Sequence, residues 1–148
     1  MTLRERIQED MKSAMRAREA ERLVTIRMLL AAIKQREIDE RRELDDTEVL
    51  SIVDKLIKQR KDSASQFVAG GRSDLAEKEE SEIIFLAVYL PAALSPAEID
   101  GLIAETMTAV AASAPKDMGK VLTALRPQMQ GRADMAVVAE KVKARLSS

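Results

Sequence analysis

Acidic side chains form the densest groups of potentially reactive residues in this sequence. One group combines Asp39, Glu40 and Glu43, and another places four glutamates between positions 77 and 82. Clustered carboxylates can bind divalent cations. They also occur on solvated helix faces, where nearby lysine and arginine side chains balance their charge. Basic neighbours such as Lys78 favour the second interpretation, so the sequence predicts no metal site.

General bases and nucleophiles are scarce. The chain contains neither histidine nor cysteine, which removes the usual general base, the commonest metal ligand and every thiolate. No phosphate-binding loop, dinucleotide fingerprint or nucleophile elbow is present. The run Gly70-Gly71-Arg72 is too short to surround a phosphate and fits the end of a helix better. We therefore predict a protein with no catalytic centre and no cofactor.

Basic residues between positions 55 and 72 could form a surface that faces RNA. They are Lys55, Lys58, Arg60, Lys61 and Arg72. Asp54 and Asp62 interrupt this run and reduce its positive potential. An RNA-binding surface is therefore the less favoured interpretation of this segment, compared with ordinary solvated charges.

A second candidate for anion binding lies between positions 117 and 132. At 100° per residue, Gly119, Thr123, Arg126 and Gln130 share one stripe of a helix. The apolar side chains of the same segment form a separate stripe, which consists of Met118, Val121, Leu122, Leu125 and Met129. The polar stripe would therefore face away from the core.

This polar stripe has features that suit phosphate. Gly119 exposes the backbone in the first turn, where N–H groups and the helix dipole favour an anion. Arg126, two turns along, could bind a second phosphate, and Arg132 could extend the track. Lys120 lies about 100° away and would contribute only long-range attraction. The alternative is that Gly119 permits close helix packing and Arg126 is simply solvated.

The elements that carry these residues all have helical patterns. Apolar residues recur every three or four positions, as in the stripe of Leu3, Ile7, Met11, Ala14 and Met15, and no segment alternates with period two. Aromatic residues make up only 2% of the chain, which favours helices with aliphatic cores over strands. The sequence predicts an all-α protein with about four helices in an N-terminal module and three in a C-terminal module.

Helix starts and ends can be placed from local signals. Asp45 with Glu48, and Ser95 with Glu98, fit capping boxes. We expect Asp117 to cap the next helix and Asp134 to open the last. The C-terminal ends are expected at the Gly70-Gly71 pair, at Pro91, at Pro115 and at Gly131.

The module boundary is predicted near Pro91, which gives modules of residues 1–91 and 92–148. Residues 1–90 hold 17 basic and 19 acidic side chains, whereas residues 91–148 hold 7 and 6. Pro91 and Pro96 both interrupt helical structure at this change of composition. The net charge of −1 gives no global attraction for nucleic acid, so any RNA binding must use a local patch.

Several motifs together resemble one known family. They are RMLLAAIK at 27–34, KQRKDS at 58–63, GRSDLAEKE at 71–79, YLP at 89–91, DMGKV at 117–121 and GRAD at 131–134. These motifs, in this order and over nearly the whole chain, are similar to those of the YqeY family. Its members are stand-alone relatives of the tail region of GatB, the B subunit of the aspartyl/glutamyl-tRNA amidotransferase.

The resemblance implies tRNA as a partner, because the tail of that subunit engages the body of the tRNA. It does not imply catalysis, since phosphorylation and amide transfer belong to other parts of the enzyme. A family-level description as a carbon–nitrogen ligase with glutamine as nitrogen donor would then be inherited from the complex. The alternative is a helical adaptor whose charged N-terminal helices bind another protein, with no role for RNA.

The remaining expectations concern location. No run approaches the ~20 apolar residues that cross a bilayer, so no membrane association is predicted. The first residues are charged and amphipathic and lack the apolar core of a signal peptide. On this basis the sequence predicts a cytoplasmic protein. The oligomeric state is left open.

Overall fold

The computed structural model describes residues 1–147 and shows only helices among them. The α-helices are α1 Leu3–Ala17, α2 Ala20–Glu40, α3 Asp46–Ala69, α4 Ser73–Ala87, α5 Pro96–Ala109, α6 Met118–Met129 and α7 Met135–Ser147. A short 3₁₀ turn, Pro115–Asp117, precedes α6. The prediction of an all-α protein is confirmed.

Contacts between residues divide the chain into two compact units. The first, Met1–Leu90, contains α1 to α4, and the second begins at Pro91 and contains α5 to α7. Each unit has its own aliphatic core.

In the N-terminal unit, α3 packs along α4, and α2 contacts both of them as well as α1. Its core consists of Ile7, Ala14, Ile26, Leu29, Ile33, Leu44, Val49, Ile52, Val53, Ile57, Leu86 and Tyr89. Tyr89 is the only aromatic residue among them, so aliphatic packing supplies most of the apolar burial, as the composition predicted.

In the C-terminal unit, α6 packs against both α5 and α7. Its buried core consists of Ile103, Val121, Leu125, Met129, Val138, Val142 and Leu146. Pro127 lies inside α6 and cannot donate a backbone hydrogen bond to Thr123, but the helix continues to Met129. The buried Leu125 and Met129 hold this last turn against the neighbouring helices.

Reciprocal capping boxes begin α1, α3 and α5. The Asp45 carboxylate accepts from the Glu48 N–H at 2.8 Å, and the Ser95 hydroxyl accepts from the Glu98 N–H at 3.1 Å. These two boxes were predicted from the sequence. Thr2 and Glu5 form a third at the start of α1, which the sequence reading did not identify.

Some helix ends differ from the expected positions. Helix α4 ends at Ala87 rather than at Pro91, because the following residues turn so that Tyr89 can enter the core. Helix α5 ends at Ala109, well before Pro115, because Ala111 adopts a left-handed conformation with φ of 54°.

Two further positions differ from what the sequence indicated. Met15 belongs to the apolar stripe of α1, but it is exposed. Asp117 does not cap α6 with its side chain, because the carboxylate accepts instead from the N–H groups of Ser113 and Ala114, at 3.0 and 3.1 Å. The Asp117 carboxylate therefore stabilises the loop that leads into α6.

Left-handed backbone conformations end several helices. Gly71 and Gly131 have φ of 74° and 78°, and glycine adopts such values without strain. Arg18 and Arg41 adopt the same region, with φ of 56° and 57°, at the ends of α1 and α2. Arg18, Arg41 and Ala111 therefore adopt a backbone conformation that is unfavourable for L-residues.

A group of ion pairs holds the loop between α2 and α3. The Arg42 guanidinium pairs with Glu48 and with Glu40, and Arg36 pairs with both of these carboxylates. The Arg42 hydrogen bond is the main reason that the pKa of Glu48 falls to about 2. The N-terminal end of α3 is thereby tied to the C-terminal end of α2.

Candidate functional site

Helix α6 carries the polar stripe that the sequence singled out. Val121, Leu125 and Met129 are fully buried and fix the rotation of the helix about its axis. As a result Gly119, Lys120, Thr123 and Arg126 are exposed. Gln130 and Arg132 follow the helix and are only half-buried.

Gly119 faces open space. A Cβ atom built on this residue would meet no heavy atom within 4 Å. The structure therefore shows no close helix packing at this position, which was the alternative explanation for the glycine. Its surface is accessible to a ligand.

The polar side chains of the stripe are not all available. The Thr123 hydroxyl donates to the Gly119 carbonyl at 2.7 Å, which occupies its proton within the helix. The Lys120 ammonium lies 3.7 Å from the Asp117 carboxylate. The Arg126 guanidinium pairs with no residue that the structure describes, so it is the free cation of this face.

Asp117 sets the electrostatics at the start of α6. Hydrogen bonds from the Ser113 and Ala114 N–H groups lower the pKa of this carboxyl, so it remains ionised at neutral pH. Its charge partly occupies the favourable position at the positive end of the helix. In addition, the Met118 N–H already donates to the Pro115 carbonyl. The expected anion site in the first turn is consequently weaker than the sequence suggested.

Arg132 is engaged by the chain itself. Its Nε donates to the Ala92 carbonyl at 3.0 Å, and its backbone carbonyl accepts from the Leu94 N–H at 2.8 Å. Gln130 is the residue that follows α6, and its N–H donates to the Arg126 carbonyl. The structure therefore brings Gly119 and Arg126 to one open face, whereas Arg132 holds the segment at the start of the unit.

In the second basic candidate, residues 55–72, the central residue Arg60 is not exposed to a ligand. Arg60 is 7% exposed, and its Nε donates to Glu82 at 2.9 Å. It also donates to the Leu56 carbonyl and to the Met28 sulfur, at 3.2 and 2.9 Å. Arg60 thus joins α2, α3 and α4 from inside and does not face RNA.

The sequence contained a signal for this role of Arg60. The residue lies three positions after Ile57 and four before Ala64, and both of these are buried. Spacing on the apolar stripe of α3 therefore predicts an inward side chain. The neighbouring charges at 58 and 61 obscured it.

The carboxylate clusters do not assemble a metal site. Among residues 1–147, no group of three carboxylates has the arrangement of metal ligands. Glu40 accepts hydrogen bonds from Arg36 and Arg42, which lower its pKa, and Glu82 is held by Arg60. Several of these carboxylates are therefore paired with arginine, which balances their charge.

Comparison with known proteins places the chain in a family. The family model described as Yqey-like protein matches residues 4–146. The chain belongs to the YqeY family. The family motifs at 58–63 and 117–121 lie on α3 and at the start of α6, so they include both Arg60 and the exposed Gly119.

Curated relatives of this YqeY protein come from yeasts and share the name altered inheritance of mitochondria protein 41, mitochondrial. The protein of Lachancea thermotolerans is 43% identical over 113 residues, which cover 74% of this chain and 60% of the relative. That of Kluyveromyces lactis is 41% identical with the same coverage. That of Saccharomyces cerevisiae is 36% identical over 92 residues, 62% of this chain and 50% of the relative. The chain thus matches about 60% or less of the length of these relatives.

The names of these YqeY relatives contradict the predicted cytoplasmic location. They are called mitochondrial proteins. The prediction relied partly on the charged, amphipathic first residues, but residues 3–17 form α1, and Ile7 and Ala14 of that helix lie in the core. Their pattern reflects folding and carries no information about the compartment. Within the part of the chain that is described, none of the helices is both long and apolar enough to cross a membrane.

Proposed function

We propose that this YqeY protein binds a folded RNA, with tRNA as the first candidate, and acts without a catalytic step. The observation that carries the proposal is the open face of α6, where the accessible Gly119 and the unpaired Arg126 share one stripe. Support also comes from the resemblance of the family to the tail of the amidotransferase B subunit. The contact would be made to phosphates and to the shape of the RNA.

The composition favours folded RNA over single strands. Loose bases are usually bound by stacking on exposed aromatic side chains. The three aromatic residues are Phe67, Phe85 and Tyr89; Tyr89 is buried, and both phenylalanines are partly buried. Recognition must therefore use backbone and shape.

The proposal is tested by fluorescence-anisotropy titration of labelled tRNA at two salt concentrations. Contact with about two phosphates predicts a log–log salt slope of roughly −2. Folded tRNA should bind better than single-stranded RNA of equal length. A mitochondrial tRNA belongs among the probes, because the relatives are named as mitochondrial proteins.

Two charge reversals on α6 locate the contact. Arg126→Glu should weaken binding by about tenfold at low salt and make the slope shallower by about one unit. Lys120→Glu should have a smaller effect, since Lys120 already pairs with Asp117. Arg16→Glu on α1 makes the same change in net charge outside this unit and serves as the matched control.

Two results would overturn the proposal. One is an Arg126→Glu protein with a native circular dichroism spectrum and unchanged tRNA affinity. The other is absence of binding by the unmodified protein at low salt. In the second case the helical adaptor becomes the better hypothesis, and a pulldown treated with nuclease should then retain a protein partner.

A further inference from the structure

The N-terminal unit contains a groove between α2 and α4 that takes no part in the proposed RNA contact. It encloses a cavity of about 300 Å³. Helix α2 contributes Ala20, Glu21 and Val24 to its walls, and helix α4 contributes Lys78, Ser81, Glu82 and Phe85. The groove is therefore apolar along its centre and charged at its margins.

The groove has a fixed base. Glu82 lies on its wall and is held by the buried Arg60 from α3. The same guanidinium donates to the sulfur of Met28, one helical turn beyond Val24. Because Arg60 joins all three helices, α2 and α4 cannot easily separate or close, and the groove is preformed.

Apolar side chains extend this surface beyond the cavity. Val24 is 58% exposed, and Val88, which directly follows the last residue of α4, is 54% exposed. Met28 is also exposed, at 38%, and lies one helical turn from Val24. Large apolar side chains concentrated on two adjacent helices are typical of a protein–protein contact.

The charges at the margins are self-complementary. Glu21 stands on the α2 side and Lys78 on the α4 side. Neither side chain forms an ion pair with a residue that the structure describes. A two-fold axis along the groove would place α2 of one copy over α4 of the other, so that the acid–base pair forms twice, once on each side of the axis.

We propose that a second copy of this chain covers the α2–α4 groove. Val24 and Phe85 form the centre of the contact, and Glu21 pairs with Lys78 of the partner subunit on both sides of the axis. The four helices then form a bundle in which the apolar stripes of both copies are buried.

Sedimentation velocity of the full chain tests the apolar centre. The unmodified protein should dimerise with a dissociation constant in the micromolar range or below, and high salt should weaken the dimer because exposed charges are screened. Val24→Asp should weaken it at least about 100-fold, since it would bury a carboxylate. Val68→Asp is the matched control, because Val68 is equally exposed, at 58%, but lies on α3 outside the groove.

Charge reversal tests the pairing. Glu21→Lys and Lys78→Glu should each weaken the dimer about tenfold, since two symmetry-related pairs change together. The double variant restores both pairs with opposite polarity, so its affinity should return to within about threefold of the starting value. Circular dichroism and melting temperature of each variant check the fold of the monomer.

Three results would overturn the proposal. They are a monomeric protein at about 100 μM in low salt, equal effects of Val24→Asp and Val68→Asp, and a double charge reversal that remains as weak as the single variants. Binding of a different protein to the groove of a monomeric chain would assign the surface to that partner instead. None of these outcomes depends on whether α6 binds RNA.

Discussion

The Tyr89 hydroxyl donates a hydrogen bond to the Asp10 carboxylate at 2.7 Å, across 79 positions of sequence. The same segment is held by Arg6, whose guanidinium donates to the Val88 carbonyl at 3.1 Å and lies 5.0 Å from the centre of the Tyr89 ring. The chain after α4 is thereby fixed to α1. The family motif at 89–91 accordingly contains a structural anchor.

Removal of this hydroxyl should destabilise the protein moderately. Tyr89→Phe keeps the buried ring and loses the hydrogen bond, so we expect the free energy of unfolding to fall by about 1 kcal/mol. Tyr89→Leu also loses the ring and should cost roughly 2 to 3 kcal/mol. Urea denaturation followed by circular dichroism measures both. A Tyr89→Phe protein as stable as the original would mean that the bond contributes nothing.

The ionisation of Tyr89 should report the same contact. Burial, reinforced by the hydrogen bond to Asp10, raises the pKa of this phenol above its ordinary value of 10.0. The contribution to stability is therefore complete below the unfolded pKa and is lost as pH rises through the folded pKa. With one tyrosine and no tryptophan in the chain, ultraviolet absorbance follows this group alone. Titration of the native protein at the ordinary value would contradict the assignment.

Arg60 should be one of the charged residues on which stability depends most. Arg60→Ala removes a buried cation and leaves Glu82 without its partner, so we expect a loss of about 3 kcal/mol. Arg72→Ala, which removes an exposed pair with Asp74, should cost less than about 0.5 kcal/mol. The two urea midpoints are compared directly. Equal effects would show that the Arg60 pair is energetically a surface pair.

Glu48 should make the protein sensitive to acid. Its pKa is lowered from 4.5 to about 2, chiefly by the hydrogen bond from Arg42. A lowered pKa contributes stability that is present above the unfolded value and is lost as pH falls from about 4.5 towards 2. Glu48→Gln should flatten the stability profile in this interval relative to that of the unmodified protein. Urea unfolding at several pH values measures the slopes, and identical slopes would contradict the prediction.

Local signals were sufficient for much of the fold. The capping boxes at Asp45 and Ser95 depend on neighbouring side chains, and the end of α3 depends on the Gly70-Gly71 pair, so both are readable from sequence. The exposure of Met15 and the hydrogen bonds of Arg60 to Glu82 and Met28 depend on which helices surround them. Helical spacing gives the stripe but does not decide which residues at its margin reach the core.

The candidate site was predictable only in part. The rotation of α6 follows from its apolar stripe, so the exposure of Gly119 and Arg126 was accessible from the sequence. The engagement of Arg132 with Ala92 joins residues 40 positions apart, and no local pattern indicates it. The placement of Glu21 and Lys78 on opposite walls of one groove likewise required the positions of α2 and α4.

The C-terminal unit should retain structure when it is produced alone. A chain of residues 91–148 keeps the bonds from Arg132 to Ala92 and Leu94, whereas a chain that begins at Ser95 loses both. We expect the longer fragment to be helical and more stable by about 1 to 2 kcal/mol, although a module of this size is marginal. Thermal unfolding followed by circular dichroism compares them. An unfolded longer fragment would show that the two modules need each other.

The free energy of unfolding of this protein can be raised at the left-handed residues Arg18, Arg41 and Ala111. Each adopts a backbone conformation that is unfavourable for L-residues by about 1 kcal/mol. Glycine would adopt the same conformation without strain. Substitution by glycine would relieve this strain and raise the free energy of unfolding. The greater freedom of glycine in the unfolded chain would offset part of this gain. Homologues adapted to hotter environments could therefore gain heat resistance at these three helix ends, with the cores, the α6 face and the groove unchanged.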